Sequence, residues 1–118
     1  MFKVFGFLSK KAGLSLREFI DHYETKHVPL IFGLAPTPLV YKRRYLSATG
    51  KLTTQGGEVD FDVMTELVFA DRAAFEAWMA ALAKPEASRL VIADEERFLD
   101  RSRTRAYVVD ERVTAESN

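Results

Sequence analysis

Apolar side chains fall along this chain in blocks, and the spacing within each block predicts its element. Residues 2–8 form a dense apolar and aromatic run with one lysine, which predicts a buried strand. Lys10-Lys11-Ala12-Gly13 breaks it. Ser15-Leu16-Arg17-Glu18 then has the form of a capping box, in which the Ser15 hydroxyl accepts from the Glu18 amide while Glu18 reaches back. Leu16, Ile20, Tyr23, His27 and Leu30 recur at three- and four-residue steps, so one helical face carries them all. Gly33, Pro36 and Pro38 end that helix in an apolar loop around Phe32 and Leu34.

Residues 40–48 read as a strand with Lys42, Arg43 and Arg44 in its middle, and residues 49–58, with Gly50, Gly56 and Gly57, as a mobile connection. A second strongly apolar strand follows at 61–69. Asp71 caps a helix whose inner face is Phe75, Trp78, Met79 and Leu82. Pro85 opens a further helical stretch that buries Leu90, Val91 and Phe98. Residues 103–109 form the last strand, and 111–118 a polar tail expected to fray. The order is β-α-β-β-α-β. It predicts an α+β, ferredoxin-like antiparallel four-stranded sheet with helices on one face, strands one and three central, two and four at the edges. The charge pattern agrees: the inferred central strands are the most apolar, and the inferred edges carry Lys42, Arg43, Arg44, Arg103 and Arg105, as edges guarded against stray pairing do.

The third strand suggests a second subunit. Phe61, Val63, Thr65, Leu67 and Phe69 alternate onto one face, assigned to the helices; Asp62, Met64, Glu66, Val68 and Ala70 occupy the other. That second face is too mixed for a dry core and too apolar for plain solvent. The expectation is a homodimer in which another copy's sheet covers it, with Asp62 and Glu66 meeting arginines such as Arg103 or Arg105.

Composition narrows the class. At 118 residues there is room for one domain, placed at 1–110 with the tail at 111–118. Hydrophobic residues make up 47% and formal net charge is zero, which argues against disorder and against a polyanion binder. No nucleic-acid partner is expected. No apolar run approaches the roughly 20 residues that span a bilayer, so no membrane partner is expected either. The N-terminal apolar run is short and has no charged leader or cleavage site. There is no cysteine, hence no disulfide, thiolate metal site or cysteine nucleophile, and together these features favour the cytoplasm.

Among residues able to do chemistry, His27 comes first, because it shares the inward stripe of Leu16, Ile20 and Tyr23 and imidazole suits proton transfer near neutral pH. The alternative is a buried histidine satisfied by a backbone carbonyl. His22 is a poor partner for it, since five residues along an α-helix turn through about 140°. With no HxxxH or HExxH spacing either, no metal site is expected. Phe19, Tyr23, Phe32, Val63, Thr65, Leu67 and Trp78 are candidate walls of a mostly apolar pocket, with Tyr41 at its rim. Core packing is the competing role, above all for Phe19, Leu67 and Trp78. A buried phenol needs a partner, so Tyr23 and Tyr41 are also candidates to hold a substrate oxygen. Asp62 and Glu66 read either as an acid–base pair or as ion-pair partners. No phosphate loop, dinucleotide fingerprint or serine elbow is present.

Gly13 to Phe19, Tyr23 and His27-Val28-Pro29-Leu30 resemble the first helix of the EthD family, and the similarity continues at Phe61-Asp62-Val63, Glu66, Phe75, Trp78 and Asp94-Glu95-Glu96-Arg97-Phe98. The resemblance implies a dimeric α+β barrel, two ferredoxin-like sheets packed face to face. That superfamily includes polyketide cyclases, decarboxylases, dehydratases, cofactor-free monooxygenases, lactone isomerases and haem peroxidases. The EthD name comes from an ether-degradation gene cluster, where its role looks accessory to an oxidase. One histidine could ligate haem as in larger relatives, but this chain is short for wrapping one, and no cofactor is expected. The resemblance narrows the fold more than the reaction. The leading expectation is a cofactor-independent lyase or cyclase acting on a small aromatic or polyketide-like carbonyl compound, with His27 as general acid/base and Tyr23 assisting. The alternatives are an oxidoreductase (a cofactor-free monooxygenase or an accessory of an oxidative catabolic pathway) and a non-catalytic dimer that binds small apolar ligands.

Overall fold

The computed structural model describes residues 1–47, 52 and 61–115. The expected connection at 49–58 lies outside the described residues except for Leu52. Strand β1 (Phe2–Leu8) leads to helix α1 (Leu16–His22), a π-helical turn (Tyr23–His27) and helix α2 (Val28–Leu34). Strands β2 (Val40–Tyr45) and β3 (Val63–Phe69), helices α3 (Arg72–Ala83) and α4 (Pro85–Phe98), a 3-10 turn (Arg101–Arg103) and strand β4 (Arg105–Val108) follow. The four strands form one antiparallel sheet in the order β2-β3-β1-β4, so the two most apolar strands are central, as the sequence predicts.

The punctuation residues act as their chemistry requires. Ser15 Oγ accepts from Glu18 N–H at 3.0 Å and Glu18 Oε1 accepts from Ser15 N–H at 2.9 Å, completing the capping box. Asp71 caps α3 by accepting from Ala74 N–H at 2.8 Å, a contact typically worth about 1 kcal/mol. Pro85 stands in the first turn of α4, where its missing N–H costs nothing.

Register determines what the helices cover. Tyr45, Val63 and Leu8 lie in one row across β2, β3 and β1 on the helix side; Tyr41, Leu67, Val4 and Val108 lie in another. Between them runs Arg43, Thr65, Gly6 and Ala106, with no large apolar side chain. The core is accordingly divided. One cluster joins Leu8, Phe19, Tyr23, Val28, Val63, Phe98 and Leu99; the other joins Val4, Leu67 and Phe69 with Phe75 and Trp78 against them. Phe19 and Phe98 are wholly buried, and each such side chain contributes about 1.5–3 kcal/mol.

The opposite face of the sheet carries Phe5, Phe7, Met64, Val68 and Tyr107 by register. Within the chain Asp62 Oδ2 accepts from Lys10 N–H at 2.7 Å, and Glu66 pairs with Arg44 at 2.9 Å and Lys3 at 3.7 Å. One expectation about this strand changes. The bend at Asp62 interrupts the alternation, and Phe61 packs edge-on against Phe7, 5.0 Å between centroids, instead of facing the helices. Glu111, the first tail residue, is tied to Lys3 Nζ at 2.8 Å.

Candidate functional site

The first helix does not keep one pitch, and Pro29 is the reason. A regular α-helix would need a Pro29 N–H for the Thr25 carbonyl; proline has none, and its ring crowds that oxygen. The chain widens one turn instead. Val28 N–H donates to Tyr23 O, a five-residue step, and α2 restarts with Pro29 in its first turn. Thr25 Oγ1 turns back to donate to Asp21 O at 2.6 Å. The extra residue in the turn brings His22 and His27 to the same side, against α4. This overturns the expectation that the two rings diverge, which rested on α-helical geometry throughout.

Both rings meet one carboxylate. His22 Nε2 lies 2.8 Å from Asp94 Oδ1 and His27 Nδ1 lies 2.9 Å from Asp94 Oδ2. A carboxylate only accepts, so each facing nitrogen carries its proton and donates. That fixes the His27 tautomer and leaves Nε2 with a lone pair, bonded to no described residue. Phe98 packs on both imidazoles, stacked on His22 at 4.7 Å and tilted against His27 at 5.0 Å, while Tyr23 meets His27 edge-on at 5.5 Å. Burial lowers the His27 pKa below the ordinary imidazole value; the hydrogen bond and charge of Asp94 only partly offset this. His27 is therefore a neutral base at neutral pH. Among the described residues no group of three or more His, Cys, Asp or Glu is arranged to hold a metal ion.

A second polar group lies across from it. Tyr23 Oη shares hydrogen bonds with Thr65 Oγ1 at 2.7 Å and Tyr41 Oη at 3.2 Å. Three hydroxyls bring three protons to two contacts, so one O–H of the three is not used within the group and stays available to another acceptor. Burial pushes the phenol pKa values of Tyr23 and Tyr41 up, which keeps both as donors. Behind them Arg43 grips Glu24 with two hydrogen bonds, at 2.8 and 2.5 Å, and lies over the Tyr41 ring at 5.1 Å. Tyr45 Oη donates to the same carboxylate, and the Arg43 guanidinium holds Glu24 below the usual carboxylate range.

A cavity of about 360 Å³ opens above the small row of Thr65, Gly6 and Ala106, between the two core clusters. His27, Tyr23, Tyr41, Thr65, Leu67 and Trp78 all line it. Phe19, Val63 and Phe32 do not. Phe19 and Val63 are fully buried in the first core cluster, beneath Tyr23 and Tyr45, because their rows pack on Phe98 and Leu8. Phe32 is 41% exposed and reaches the site only by its edge contact with the Tyr41 ring, at 5.7 Å. Ile31, Phe75, Met79 and the β4 residues also line it, with Val4, Leu8, Thr104 and one carboxylate, Glu95. Trp78 Nε1 is buried without a hydrogen-bond partner among the described residues. Sequence reasoning missed Asp94. Its signal was available: Ala87, Asp94 and Phe98 are the buried residues of α4, spaced to share one face, and an acid on such a stripe demands a partner.

Fold and cavity together define a ferredoxin-like α+β protein with an internal histidine site. Residues 11–102 match the EthD domain, and the chain belongs to the EthD family. It is similar in structure to an EthD family protein from Bacillus halodurans, with 19% identity, 95% of this chain and 100% of that one covered, and a TM-score of 0.63. A NIPSNAP domain protein from Burkholderia xenovorans is similar at 14% identity, 99% and 100% coverage and a TM-score of 0.59. HapK from Hahella chejuensis is similar at 14% identity, 100% and 98% coverage and a TM-score of 0.58. At these identities the likeness concerns the fold. No curated protein matches the chain. No helix among the described residues is long and apolar enough to cross a membrane.

Proposed function

We propose that this protein is a cofactor-independent lyase or cyclase acting on a small aromatic or polyketide-like carbonyl compound. One observation carries the reading: His27, neutral, oriented through Nδ1 by Asp94 and with Nε2 bonded to no described residue, lines a largely apolar cavity. Nε2 removes a proton from the carbon beside a carbonyl, and the free hydroxyl of the Tyr23–Tyr41–Thr65 group donates to the developing enolate oxygen. The enolate carbon attacks a second carbonyl of the same molecule, forming the new carbon–carbon bond. The proton on His27 passes to the alkoxide so formed; Nε2 then takes the second proton from the attacking carbon and returns it to the hydroxyl, which departs as water as the carbon–carbon double bond forms. Positioned acid–base help of this kind supplies about two to four orders of magnitude, and folding the chain in a dry cavity adds to it. The test is to incubate the protein with aromatic polyketone and anthrone-type compounds while following product mass and dissolved oxygen. Loss of water or carbon dioxide without oxygen uptake supports a lyase; oxygen uptake matched to product makes it a monooxygenase.

The homodimer belongs to the same reading. Phe5, Phe7, Met64, Val68 and Tyr107 share the outer sheet face with a Glu66 carboxylate that Lys3 and Arg44 neutralise, a mixed face suited to another copy of itself. Light scattering at micromolar concentration should give twice the chain mass, and Met64→Glu should halve it; a monomeric wild type contradicts the dimer.

A further inference from the structure

His22 has no part in the chemistry proposed above, yet it occupies half of the carboxylate on which that chemistry depends. The three groups lie in line, His22 Nε2–H to Asp94 Oδ1 at 2.8 Å and Asp94 Oδ2 to His27 Nδ1–H at 2.9 Å, with Phe98 packed on both rings. The line has an outer and an inner end. The His22 side chain is 20% exposed, whereas His27 is 7% exposed and Asp94 10%. One negative charge thus faces two rings, each able to become an imidazolium.

The charged neighbours in sequence on the same elements, Arg17 and Asp21 on α1, Lys26 in the π turn and Glu96 and Arg97 on α4, are exposed to solvent, which screens them. Helix α2 carries no charged residue. From α4, Asp94 and Glu95 act on His27, and Glu95 is turned to Arg101 Nε at 3.2 Å. On α1, Glu18 is committed to the Ser15 cap. On the sheet side, Arg43 and Glu24 neutralise each other. The contest is therefore internal to the trio. A charge on the better-hydrated ring costs less than one beneath it, and once present it neutralises Asp94 and repels a second charge on its neighbour.

We infer that His22 is a positioning residue that takes the first proton offered to the pair, holds Asp94 as an imidazolium and so keeps His27 a neutral base. Asp94 supports one imidazolium at a time. On acidification the outer ring charges first, and the cavity ring keeps its Nε2 lone pair to lower pH than it would with Asp94 to itself. The effect on turnover rests on the carbonyl chemistry above; the effect on protonation does not.

The test needs no substrate. The chain has two histidines, so deleting either assigns both imidazole signals in a pH titration by heteronuclear NMR. In the wild type His22 should ionise first and His27 at lower pH. His22→Phe keeps a ring on Phe98 and removes the donor; His22→Gln keeps an amide donor that cannot ionise. In both, the His27 midpoint should rise, by about one pH unit in the Phe variant, as expected when a nearby carboxylate loses a competing partner. If His27 ionises before His22 in the wild type, or its midpoint stays put in the folded variants, the proposal is overturned. The wild-type order decides the matter even where a variant does not fold.

Discussion

His27 donates its Nδ1 proton to Asp94 Oδ2 across 2.9 Å, and that one bond fixes the tautomer and leaves the Nε2 lone pair unused by Asp94. Asp94 comes from the second helical region and His27 from the first, 67 residues earlier. The π turn before Pro29 gives the imidazole its direction; the apolar stripe of α4 gives the carboxylate its depth.

Asp94→Asn should therefore uncouple orientation from binding. An asparagine amide offers at most one acceptor oxygen to two donors, so one ring must turn or change tautomer. The expected result is a fall in kcat of about 10²-fold or more with KM little changed, following the logic of an orienting aspartate behind a catalytic histidine. Unfolding free energy should drop by about 1–3 kcal/mol, measured by denaturant titration.

Gly6→Val tests the cavity without touching the histidine site. A Cβ at Gly6 would meet Leu8 Cδ1 at 3.2 Å, the far end of a flexible side chain, and the backbone of Arg105 only at 3.9 Å. The fold should survive while the valine occupies the floor of the cavity. Affinity for any aromatic ligand should fall roughly 10- to 200-fold, the range a misfit methylene or two commands in an apolar pocket; calorimetry on the folded variant reads this directly.

Stability should depend on pH through His27, with a defined sign. Burial holds its pKa below the ordinary value of 6.5 in the folded chain, so the unfolded chain takes up the proton first as pH falls. This contribution is fully present above the unfolded value and is lost as pH falls through the folded one. Denaturant midpoints measured between about pH 8 and pH 5 should be level and then decline, and His27→Gln should remove that part of the decline.

Much of the fold was legible because its signals are local. The run at residues 2–8, the Ser15–Glu18 box, Asp71 and Pro85 each announce an element boundary, and Lys42, Arg43 and Arg44 on β2 mark one edge; on the other, β4 keeps only Arg105, Arg103 falling in the 3-10 turn before it. His27, Tyr23, Tyr41, Thr65, Leu67 and Trp78 were legible as cavity residues because periodicity points a side chain inward. Periodicity could not separate cavity from core: Phe19 and Val63 point inward equally well and end beneath Tyr23 and Tyr45. The π turn hid the His22 arrangement, since counting at 3.6 residues per turn sends the two rings apart. Asp94 could be read as a buried acid from the Ala87–Asp94–Phe98 face, but its pairing with His27, 67 residues away, lies beyond the reach of any local pattern.

The most direct test is a thermal-shift screen of aromatic ketones, anthrones and phenolic acids on the wild type and His27→Ala, with every stabilising compound then followed for conversion. The expected result is a set of compounds that stabilise both proteins and are converted only by the wild type. Conversion by both, or stabilisation of neither by any apolar compound, would contradict a carbonyl-acting histidine site in this cavity.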